Sequence, residues 1–408
     1  MIVYVFNQPF PEDSGFGRRC QREIEALSDS EKVTVVCRQL EGQKAEESIF
    51  LNGNQVRILR FHADSEIVHR PTEYKSNGMY ELKRNVDLLM NLIKTLFDVL
   101  TSEKHDQVHL YCVTSPLTVP LLGLFLAKIL RIEPTLVSFH DLEPELAMHL
   151  KNLTNQNWLV KVEYFLEKIV CRSFKKILVT TEGQAEVLSK RTHVPMNKFC
   201  SIVNTTDISA KEGTLPAAWS SFVKPNSFVV TYMSTISFDY TIKGFLSFLK
   251  ALSTQKDELE HLRVMVLGDG EGLKQVKDAV QEYGLENIVK CFGHVSNPQA
   301  CLEHSDAAII PWQQDIMTET MLPTKLFEYL SFGVPVIAPD FGEFHRVLTD
   351  KKTAFLTTSK LDMVSVLRQM MSDSVLRDRV GQSGKDLFIS TYKPELLNAK
   401  LKEFCFSS

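Results

Sequence analysis

The sequence predicts an α/β protein made of two domains, each with a parallel sheet covered by helices. Short apolar runs rich in β-branched residues alternate with helix-period segments along nearly the whole chain, a pattern that indicates α/β layering. Several of these runs are apolar throughout, as expected of strands that helices cover on both faces. The chain has 408 residues, about 2.7 times a typical domain of ~150 residues, which favours two domains.

The predicted strands form two sets. Those of the first half are Ile2–Phe6, Val33–Cys37, Val56–Phe61, Val108–Val113, Thr135–Phe139, Ile177–Thr181 and Phe199–Val203, and those of the second are Phe228–Met233, Arg263–Leu267, Ile288–Phe292, Ala307–Pro311, Val334–Ala338 and Ala354–Thr358. Between the sets, from Asn204 to Pro225, the pattern lapses into turn-forming residues. We therefore expect a first domain over residues 1–207 and a second over 224–390.

The segments between the strands have helical spacing. After Gly17, apolar residues recur at positions 20, 24 and 27 and place one helix face on a sheet. Met79–Leu100 is expected to form a longer amphipathic helix. Leu121–Ile129 is expected to be a buried crossover helix, with a membrane role as the less favoured alternative.

Composition excludes several classes of protein. The 46 Lys+Arg against 50 Asp+Glu leave a net charge of −4, which gives no electrostatic reason to expect nucleic-acid binding. The longest apolar run, Val119–Leu130, is far shorter than the ~20 residues that span a bilayer, and no secretory signal is apparent at Met1. The eight cysteines are scattered without a Cys-x-x-Cys pair, so we expect a reducing, cytoplasmic environment and no structural metal.

The most informative stretch contains a helix between Asp315 and Asp340. Pro323 suits the first turn of a helix and Gly333 the position just past its end. Because the N-terminus of this helix follows a strand expected to end at Trp312, it offers free N–H groups and partial positive charge to an anion such as a diphosphate.

This helix also has a predicted polar side. Leu326 and Leu330 point one way, whereas Thr324, Glu328 and Ser331 lie on the opposite side. Glu328, one turn into the helix, is placed to accept hydrogen bonds from a ribose diol. The alternative is a structural helix that carries a solvated glutamate.

Two glycine-rich turns follow predicted strands. The turn from Gly268 to Gly272 has the wrong spacing for a dinucleotide-binding fingerprint, which favours a tight strand-to-helix turn. In the second turn, Gly15 and Gly17 open a helix, where glycines permit close approach of a ligand and the helix N-terminus favours negative charge. Arg18, together with the arginine after it, would add counter-charge; a solvated arginine pair is the alternative.

Two further residues lie at expected carboxyl ends of strands. His140 follows a strand and, in a cleft, could position a sugar hydroxyl or shuttle a proton. Lys243, before Gly244, follows the first strand of the second half and could neutralise phosphate. Taken alone, the first is a loop residue and the second a surface lysine.

In this order, these stretches resemble the group-1 glycosyltransferases of the GT-B fold, which are mostly retaining enzymes that use nucleotide-sugar donors. The matching stretches are Val266–Glu271, Tyr283–Val289 and Phe292–Val295 for the first half of the family's donor domain, Leu322–Ile337 for its donor helix and next strand, Lys243-Gly244 for its phosphate-binding pair, Gly15–Gly17 for its N-terminal glycine loop and His140-Asp141 for its histidine loop. The resemblance covers nearly the full chain and is strongest from Phe228 to Phe355.

The resemblance implies two Rossmann-like domains facing a cleft, with a C-terminal helix over 391–408 crossing back to the first domain. It implies that Glu328 binds the donor ribose, that Lys243 binds the diphosphate and that His140 contacts the transferred sugar; these three form the expected catalytic set. The donor-binding residues expected on this basis are Gly15, Gly17, Lys243, Gly293, His294, Val295, Met321, Leu322, Pro323, Thr324 and Glu328. The family needs no metal or other cofactor, because the nucleotide sugar is a substrate.

The chain departs from the family pattern at two points. The family usually has a second glutamate eight positions before Glu328, where this chain has Thr320, with Glu319 beside it. Many members also carry an arginine before the Lys-Gly pair, where this chain has Ser234-Thr235. The residues expected to support the donor site in place of the missing glutamate and arginine are Arg18, Thr235, Glu319 and Thr320.

The function implied is transfer of a sugar, with UDP-sugars favoured as donors, to an acceptor hydroxyl on a glycan, lipid-linked glycan or glycoprotein, with retention. Nucleic acid is not an expected partner, whereas association with a membrane surface or a partner subunit is compatible with such acceptors. Two alternatives stay open. One is an epimerase or phosphorylase of the same architecture; the other is a non-catalytic partner subunit, suggested by the missing glutamate and arginine.

Overall fold

Two compact units make up the chain. The computed structural model describes residues 1–12, 14–62, 78–102, 108–114, 116–151, 153–206, 214–237 and 239–406. The first unit comprises Met1–Ile202 with Leu397–Ser408, and the second comprises Val203–Leu396. Of the predicted junction, residues 207–213 lie outside the described part.

The first unit is built on an eight-stranded sheet. Its strands are β1 (Ile2–Pro9), β2 (Val33–Arg38), β3 (Glu46–Leu51), β4 (Asn54–Phe61), β5 (His109–Val113), β6 (Pro134–Ser138), β7 (Lys176–Val179) and β8 (Phe199–Ser201). They lie in the order β3-β4-β2-β1-β5-β6-β7-β8. All neighbours are parallel except β3, which pairs antiparallel with β4.

Strand β3 was not among the predicted strands. Its residues alternate between exposed and half-buried and form no apolar run. This is because β3 is an edge strand, and only one of its faces is packed against the rest of the unit. The signal that marks it is the turn Asn52-Gly53, where both residues have positive φ, 48° and 83°. Asn-Gly between two strands is a strong hairpin signal.

The helices of the first unit cover its sheet. They are α1 (Gly15–Ser28), α2 (Gly78–Ser102), α3 (Thr118–Leu130), α4 (Glu143–Lys151), α5 (Trp158–Ser173) and α6 (Glu182–Thr192). Helix α1 buries the predicted face of Cys20, Ile24 and Leu27. Helix α3 is the predicted crossover helix, but it is buried on one side only, since Phe125 and Ile129 are 57% and 55% exposed.

The second unit has a six-stranded, fully parallel sheet. Its strands are β9 (Phe228–Met233), β10 (Leu262–Leu267), β11 (Val289–Gly293), β12 (Ala307–Ile309), β13 (Val336–Pro339) and β14 (Phe355–Thr357). They lie in the order β11-β10-β9-β12-β13-β14, which is the strand order of a Rossmann fold with its switch point between β9 and β12.

Its helices are α7 (Trp219–Phe222), α8 (Asp239–Ser253), α9 (Leu273–Glu282), α10 (Pro298–Leu302), α11 (Ile316–Thr320), α12 (Thr324–Phe332), α13 (Gly342–Val347), α14 (Lys360–Ser372), α15 (Ser374–Leu387) and α16 (Pro394–Phe406). Most of α16 belongs to the first unit. There the Lys402 amine donates to the Asp29 carboxylate at 2.6 Å, and the Lys400 amine donates to the Ser201 carbonyl at 2.9 Å.

Two predictions about the fold are thus confirmed: both sheets are Rossmann-like, and the C-terminal helix packs on the first unit. The core thiols are buried as well: seven of the eight cysteines are buried, Cys291 is half-buried, and all eight are free. Among the described helices, none combines the length and the hydropathy that crossing a membrane requires.

Candidate functional site

The carboxyl end of β9 is the centre of the candidate site in the second unit. In open α/β sheets, ligands bind beyond the carboxyl ends of the strands at the switch point. Here the loop after β9 begins at Ser234, and the segment after β12 passes through Pro311 and Trp312. We therefore expect ligand-binding residues around this end of β9.

The glycine turn after β10 packs tightly against the loop after β9. A Cβ atom added at Gly268, whose φ is +140°, would lie 1.8 Å from the Ser234 carbonyl oxygen. The Ser234 N–H donates to the Leu267 carbonyl at 3.0 Å, and the Gly268 N–H donates to the Gly293 carbonyl at 2.7 Å. These contacts hold the ends of β9, β10 and β11 together and agree with the expected tight turn.

Helix α12 is fastened to the same end of β9. The Met233 N–H donates to the Tyr329 hydroxyl oxygen at 2.8 Å. The helix begins at Thr324, with Pro323 at the N-cap in an extended conformation and no side-chain cap. Because the first N–H groups of a helix have no acceptor within it, the start of α12 keeps donors that an anion can use. Gly333 ends the helix at φ 72°, as predicted.

The expected polar side of α12 is not solvated. Glu328 is only 8% exposed and Ser331 only 1%, and the Ser331 hydroxyl donates to the Glu328 carbonyl at 2.8 Å. The helix is buried on both sides because the second unit's core surrounds it. The alternative of a solvated glutamate is therefore wrong.

The segment before α12 also differs from the expectation. Strand β12 ends at Ile309 rather than Trp312, and helix α11 lies between it and α12. Asp315 caps α11 through a reciprocal hydrogen-bond pair with Thr318. The sequence interpretation placed α12 directly after the strand and missed α11. The available signal was an aspartate three residues before a threonine, which is a capping pattern.

The supporting residues of this segment have partners within the chain. The Thr320 hydroxyl donates to the Ile316 and Met317 carbonyls, both at 3.1 Å. The Glu319 carboxylate accepts from the Gln314 side chain at 2.7 Å. Met321 and Thr324 are half-buried and Leu322 and Pro323 are buried, so this segment lies along the edge of the core.

Lys243 lies on α8, the helix that follows β9. Its amine pairs with Asp239 at 2.6 Å, and both side chains are 63% exposed. Exposed pairs of this kind are weak, so a phosphate can replace the carboxylate. A Cβ at Gly244 would lie 2.1 Å from the Pro311 carbonyl oxygen; this close approach holds α8 beside the segment after β12.

The remaining predicted donor residues of the second unit follow β9 and β11. Thr235 is exposed in the loop after β9. Gly293 has φ +72° with open space around the position of a Cβ, His294 is exposed, and Val295 packs against the core. The structure thus places the second-unit residues along the carboxyl ends of β9 to β12.

A cavity of about 400 Å³ lies at the same edge of the sheet, towards β13 and β14. Its lining includes Gly244, Trp312, Asp340 and Lys360 but neither Lys243 nor Pro323. The Lys360 amine donates to the Trp312 carbonyl at 2.7 Å, and burial lowers the pKa of this amine to about 8. Of these lining residues, the sequence predicted a binding role only for the Lys243-Gly244 pair that contains Gly244, and none for Lys360.

In the first unit, the glycine loop and His140 come together. Ser14 caps α1 by accepting from the Gly17 N–H at 3.0 Å, and a Cβ at Gly17 would lie 2.2 Å from the Glu12 carbonyl oxygen. Nothing lies within 4 Å of a Cβ at Gly15. The Phe16 ring lies 4.6 Å from the His140 ring, centroid to centroid.

The two arginines of this loop differ in role. Arg18 is exposed. Arg19 is buried and donates to the Glu23 carboxylate and the Ile202 carbonyl, both at 2.7 Å. The expectation of a solvated or ligand-binding pair is therefore wrong for Arg19, because its guanidinium is needed to neutralise a buried carboxylate.

His140 is buried and neutral at neutral pH. Burial lowers the pKa of its imidazole well below the usual value, and the positive charge of Arg19 lowers it further. Its Nε2 lies 4.0 Å from the Glu23 carboxylate and has no hydrogen-bond partner among the described residues. A neutral imidazole can donate or accept one hydrogen bond with a sugar hydroxyl.

Other buried polar atoms at this edge are also unpartnered within the described part of the chain. Besides His140 Nε2, they are Asn7 Oδ1 at the end of β1, Thr114 Oγ1 after β5 and Glu143 Oε1 at the start of α4. Burial raises the pKa of Glu143 to about 8, and repulsion from Asp141 adds to this shift. Sequence reasoning missed Asn7, Thr114 and Glu143; the available signal was that each follows a predicted strand, Ile2–Phe6, Val108–Val113 or Thr135–Phe139.

Among the described residues, no cluster of three or more His, Cys, Asp or Glu side chains is placed to hold a metal ion.

Comparison with known proteins gives the chain's relationships. Residues 218–387 match the family described as Glycosyl transferases group 1. A curated relative is the lipopolysaccharide core biosynthesis glycosyltransferase LpsD of Rhizobium meliloti (strain 1021), 25% identical over 146 residues. That alignment covers 35% of this chain and only 40% of LpsD.

Solved structures resemble the whole chain. Anabaena HepE in complex with UDP has a TM-score of 0.69 at 14% identity and covers 100% of both chains. Sucrose-phosphate synthase from Thermosynechococcus elongatus has a TM-score of 0.71 at 13% identity, covering 98% of this chain and 97% of its own. At such identities the likeness shows the fold. Residues 218–387 thus resemble the group-1 glycosyl transferases, and the two Rossmann-like units of the chain have the GT-B fold.

Proposed function

We propose that this chain transfers a sugar from a UDP-sugar to an acceptor hydroxyl. The observation that carries the proposal is the assembly at the carboxyl end of β9, where the open start of α12, buried Glu328 and the helix of Lys243 meet. The match of residues 218–387 to the group-1 glycosyl transferases supports sugar transfer, and the UDP bound to Anabaena HepE supports this nucleotide.

The second unit would bind the nucleotide portion of the donor. The diphosphate accepts hydrogen bonds from the N–H groups at the start of α12, near Met321 to Thr324, and displaces Asp239 from Lys243. The Glu328 carboxylate accepts hydrogen bonds from the ribose, and Gly293 to Val295 flank the base. Because negative charge grows on the diphosphate as the glycosidic bond breaks, these fixed positive groups stabilise the transition state.

The first unit would bind sugar hydroxyls through neutral His140 and the backbone at Gly15 and Gly17. In a retaining transfer of this kind, the leaving phosphate would accept the proton of the acceptor hydroxyl, so the reaction needs no pair of carboxylates of the glycosidase type. Arg18 would support the first-unit site from the start of α1. Thr235 in the loop after β9, with Glu319 and Thr320 on α11, would support the second-unit site.

We propose a saccharide as the acceptor. LpsD acts in lipopolysaccharide core biosynthesis by its name, which supports a glycan or lipid-linked glycan. The neutral, hydrogen-bonding groups at the carboxyl edge of the first unit suit sugar hydroxyls better than an anionic acceptor.

The role of Glu328 is tested by comparing UDP with 2′-deoxy-UDP in calorimetric titrations. The wild type should bind UDP roughly tenfold more tightly than 2′-deoxy-UDP, because the buried carboxylate loses the hydrogen bond from the 2′-hydroxyl in the second case. In Glu328→Ala this preference should vanish, and turnover should fall at least about tenfold, or ~1.4 kcal/mol of barrier.

Lys243→Ala should lower turnover to a similar extent.

Glu282→Ala, which removes an exposed carboxylate at the end of α9, serves as the control and should match the wild type. Failure of the wild type to bind UDP, or an undiminished 2′-hydroxyl preference in Glu328→Ala, would overturn the assignment.

A further inference from the structure

Lys325 is a half-buried lysine in the first turn of α12 that the sequence analysis did not single out. Its amine makes no hydrogen bond or salt bridge with the described residues; it lies over the Tyr232 ring, 5.9 Å from the ring centroid. Burial lowers the pKa of this amine to about 8, and the charge of Glu328 opposes that shift. A partly desolvated cation that no carboxylate contacts directly is costly, and a bound anion would stabilise it.

The contacts of Lys325 place its amine at the switch point of the second sheet. Tyr232 is next to the last residue of β9, and its ring stacks on Phe245 of α8 at 4.4 Å between centroids. Phe245 lies two residues after Lys243 on the same helix. One end of β9 therefore lies between α12, which carries Lys325, and α8, which carries Lys243.

Charge balance requires a second cation here. The terminal phosphate of a nucleoside diphosphate carries about two negative charges near neutral pH. Lys243 is exposed and already paired with Asp239, and Glu328 adds a negative charge one turn from Lys325. The start of α12 supplies partial positive charge only. Lys325 is positioned to supply a full charge to the same anion.

We propose that Lys325 binds the terminal phosphate of the nucleoside diphosphate and neutralises it as it leaves. This inference rests on the proposed function and deepens it, because it assigns a catalytic role to a residue outside the expected donor set. The proton balance is simple: the amine is protonated when it binds and stays protonated, and its role is electrostatic. The Tyr232 ring supports the alkyl stem and restricts where the amine can lie.

A pH dependence follows from the environment of the amine. The groups that face it are Tyr232 on β9 and Glu328 on its own helix. Since phosphate titrates near pH 6 and half of the amine has lost its proton at about pH 8, affinity for the terminal phosphate should be nearly constant around pH 7 and clearly reduced by about pH 8. It should fall further as the amine loses its proton at higher pH.

The test is calorimetric titration of the full chain with UDP, UMP and uridine, for the wild type and three variants. Lys325→Met keeps the stem but removes the charge, Lys325→Arg keeps a cation, and Lys250→Met removes an exposed lysine of α8. In Lys325→Met, UDP affinity should fall roughly tenfold, as expected for loss of one charge-assisted hydrogen bond, while uridine affinity stays unchanged. Lys325→Arg should retain part of the preference for UDP over UMP, and Lys250→Met all of it.

The outcomes separate this inference from the proposed function. A wild type that binds no UDP would overturn both. A wild type that prefers UDP to UMP, with the same preference and pH profile in Lys325→Met, would overturn the role of Lys325 alone. Equal losses for UDP, UMP and uridine in Lys325→Met and Lys325→Arg would show a structural residue and also overturn it.

Discussion

At the scale of single residues, the first unit concentrates buried polar atoms at one edge of its sheet. Each buried polar atom without a partner costs about 1–3 kcal/mol, and such atoms usually find a ligand or an ordered water. Asn7, Thr114, His140 and Glu143 share this state at the ends of neighbouring strands. The edge is therefore less stable without a ligand than the rest of the core, as is common for functional sites.

Glu143 gives this edge a measurable pH dependence. Its pKa is about 8 in the folded chain and about 4.3 when unfolded, so between these values only the unfolded state has lost the proton. The free energy of unfolding therefore falls as pH rises from about 4.5 to 8. Glu143→Gln should flatten this fall in thermal unfolding measured from pH 5 to 8.

The control for this measurement is Glu186→Gln, which neutralises an exposed carboxylate of the same unit. It should keep the slope of the wild type. An unchanged slope in Glu143→Gln would mean that this carboxyl is already ionised in the folded chain.

At the scale of elements, the site depends on turns that bring strand ends together. Gly268 is needed on two grounds: its φ lies in the region that favours glycine, and a Cβ there would meet the Ser234 carbonyl at 1.8 Å. Gly293 has the positive φ but open space around it. Substituting each glycine in turn therefore separates the cost of backbone strain from the cost of a steric clash.

Gly268→Ala should destabilise the second unit by more than about 2 kcal/mol and weaken UDP binding, because the loop after β9 must move. Gly293→Ala should cost only about 1 kcal/mol, the strain of the left-handed conformation alone. Chemical denaturation of both variants checks this order. Equal losses in the two variants would show that the contact with Ser234 relaxes at little cost.

The same elements show how much the sequence could predict. Helix α12 was predictable because Pro323 and Gly333 mark its ends locally, and the buried strands were predictable from their apolar runs. The burial of Lys325 was not, since it depends on Tyr232, which is distant in the chain, and a lysine on a helix is usually solvated. Helix α11 was hidden because only its cap, Asp315 with Thr318, marks so short a helix.

At the scale of the whole molecule, the fold follows from the alternation of strands and helices. Because strand–helix–strand crossovers are right-handed and connections are short, this alternation favours a parallel sheet in each unit. The order of strands puts a switch point in each sheet: between β9 and β12 in the second, and between β1 and β5 in the first. Candidate residues lie at both. This recurrence explains why motifs scattered along the sequence fall at the carboxyl ends of strands once folded.

The central claim is that the end of β9 and the start of α12 bind a nucleoside diphosphate. Hydrogen exchange of the full chain with and without saturating UDP, read by mass spectrometry, tests it most directly. Bound UDP should slow exchange in peptides covering residues 230–237 and 321–329. Binding of UDP with protection confined to other segments, such as 357–361 beside the 400 Å³ cavity, would contradict it.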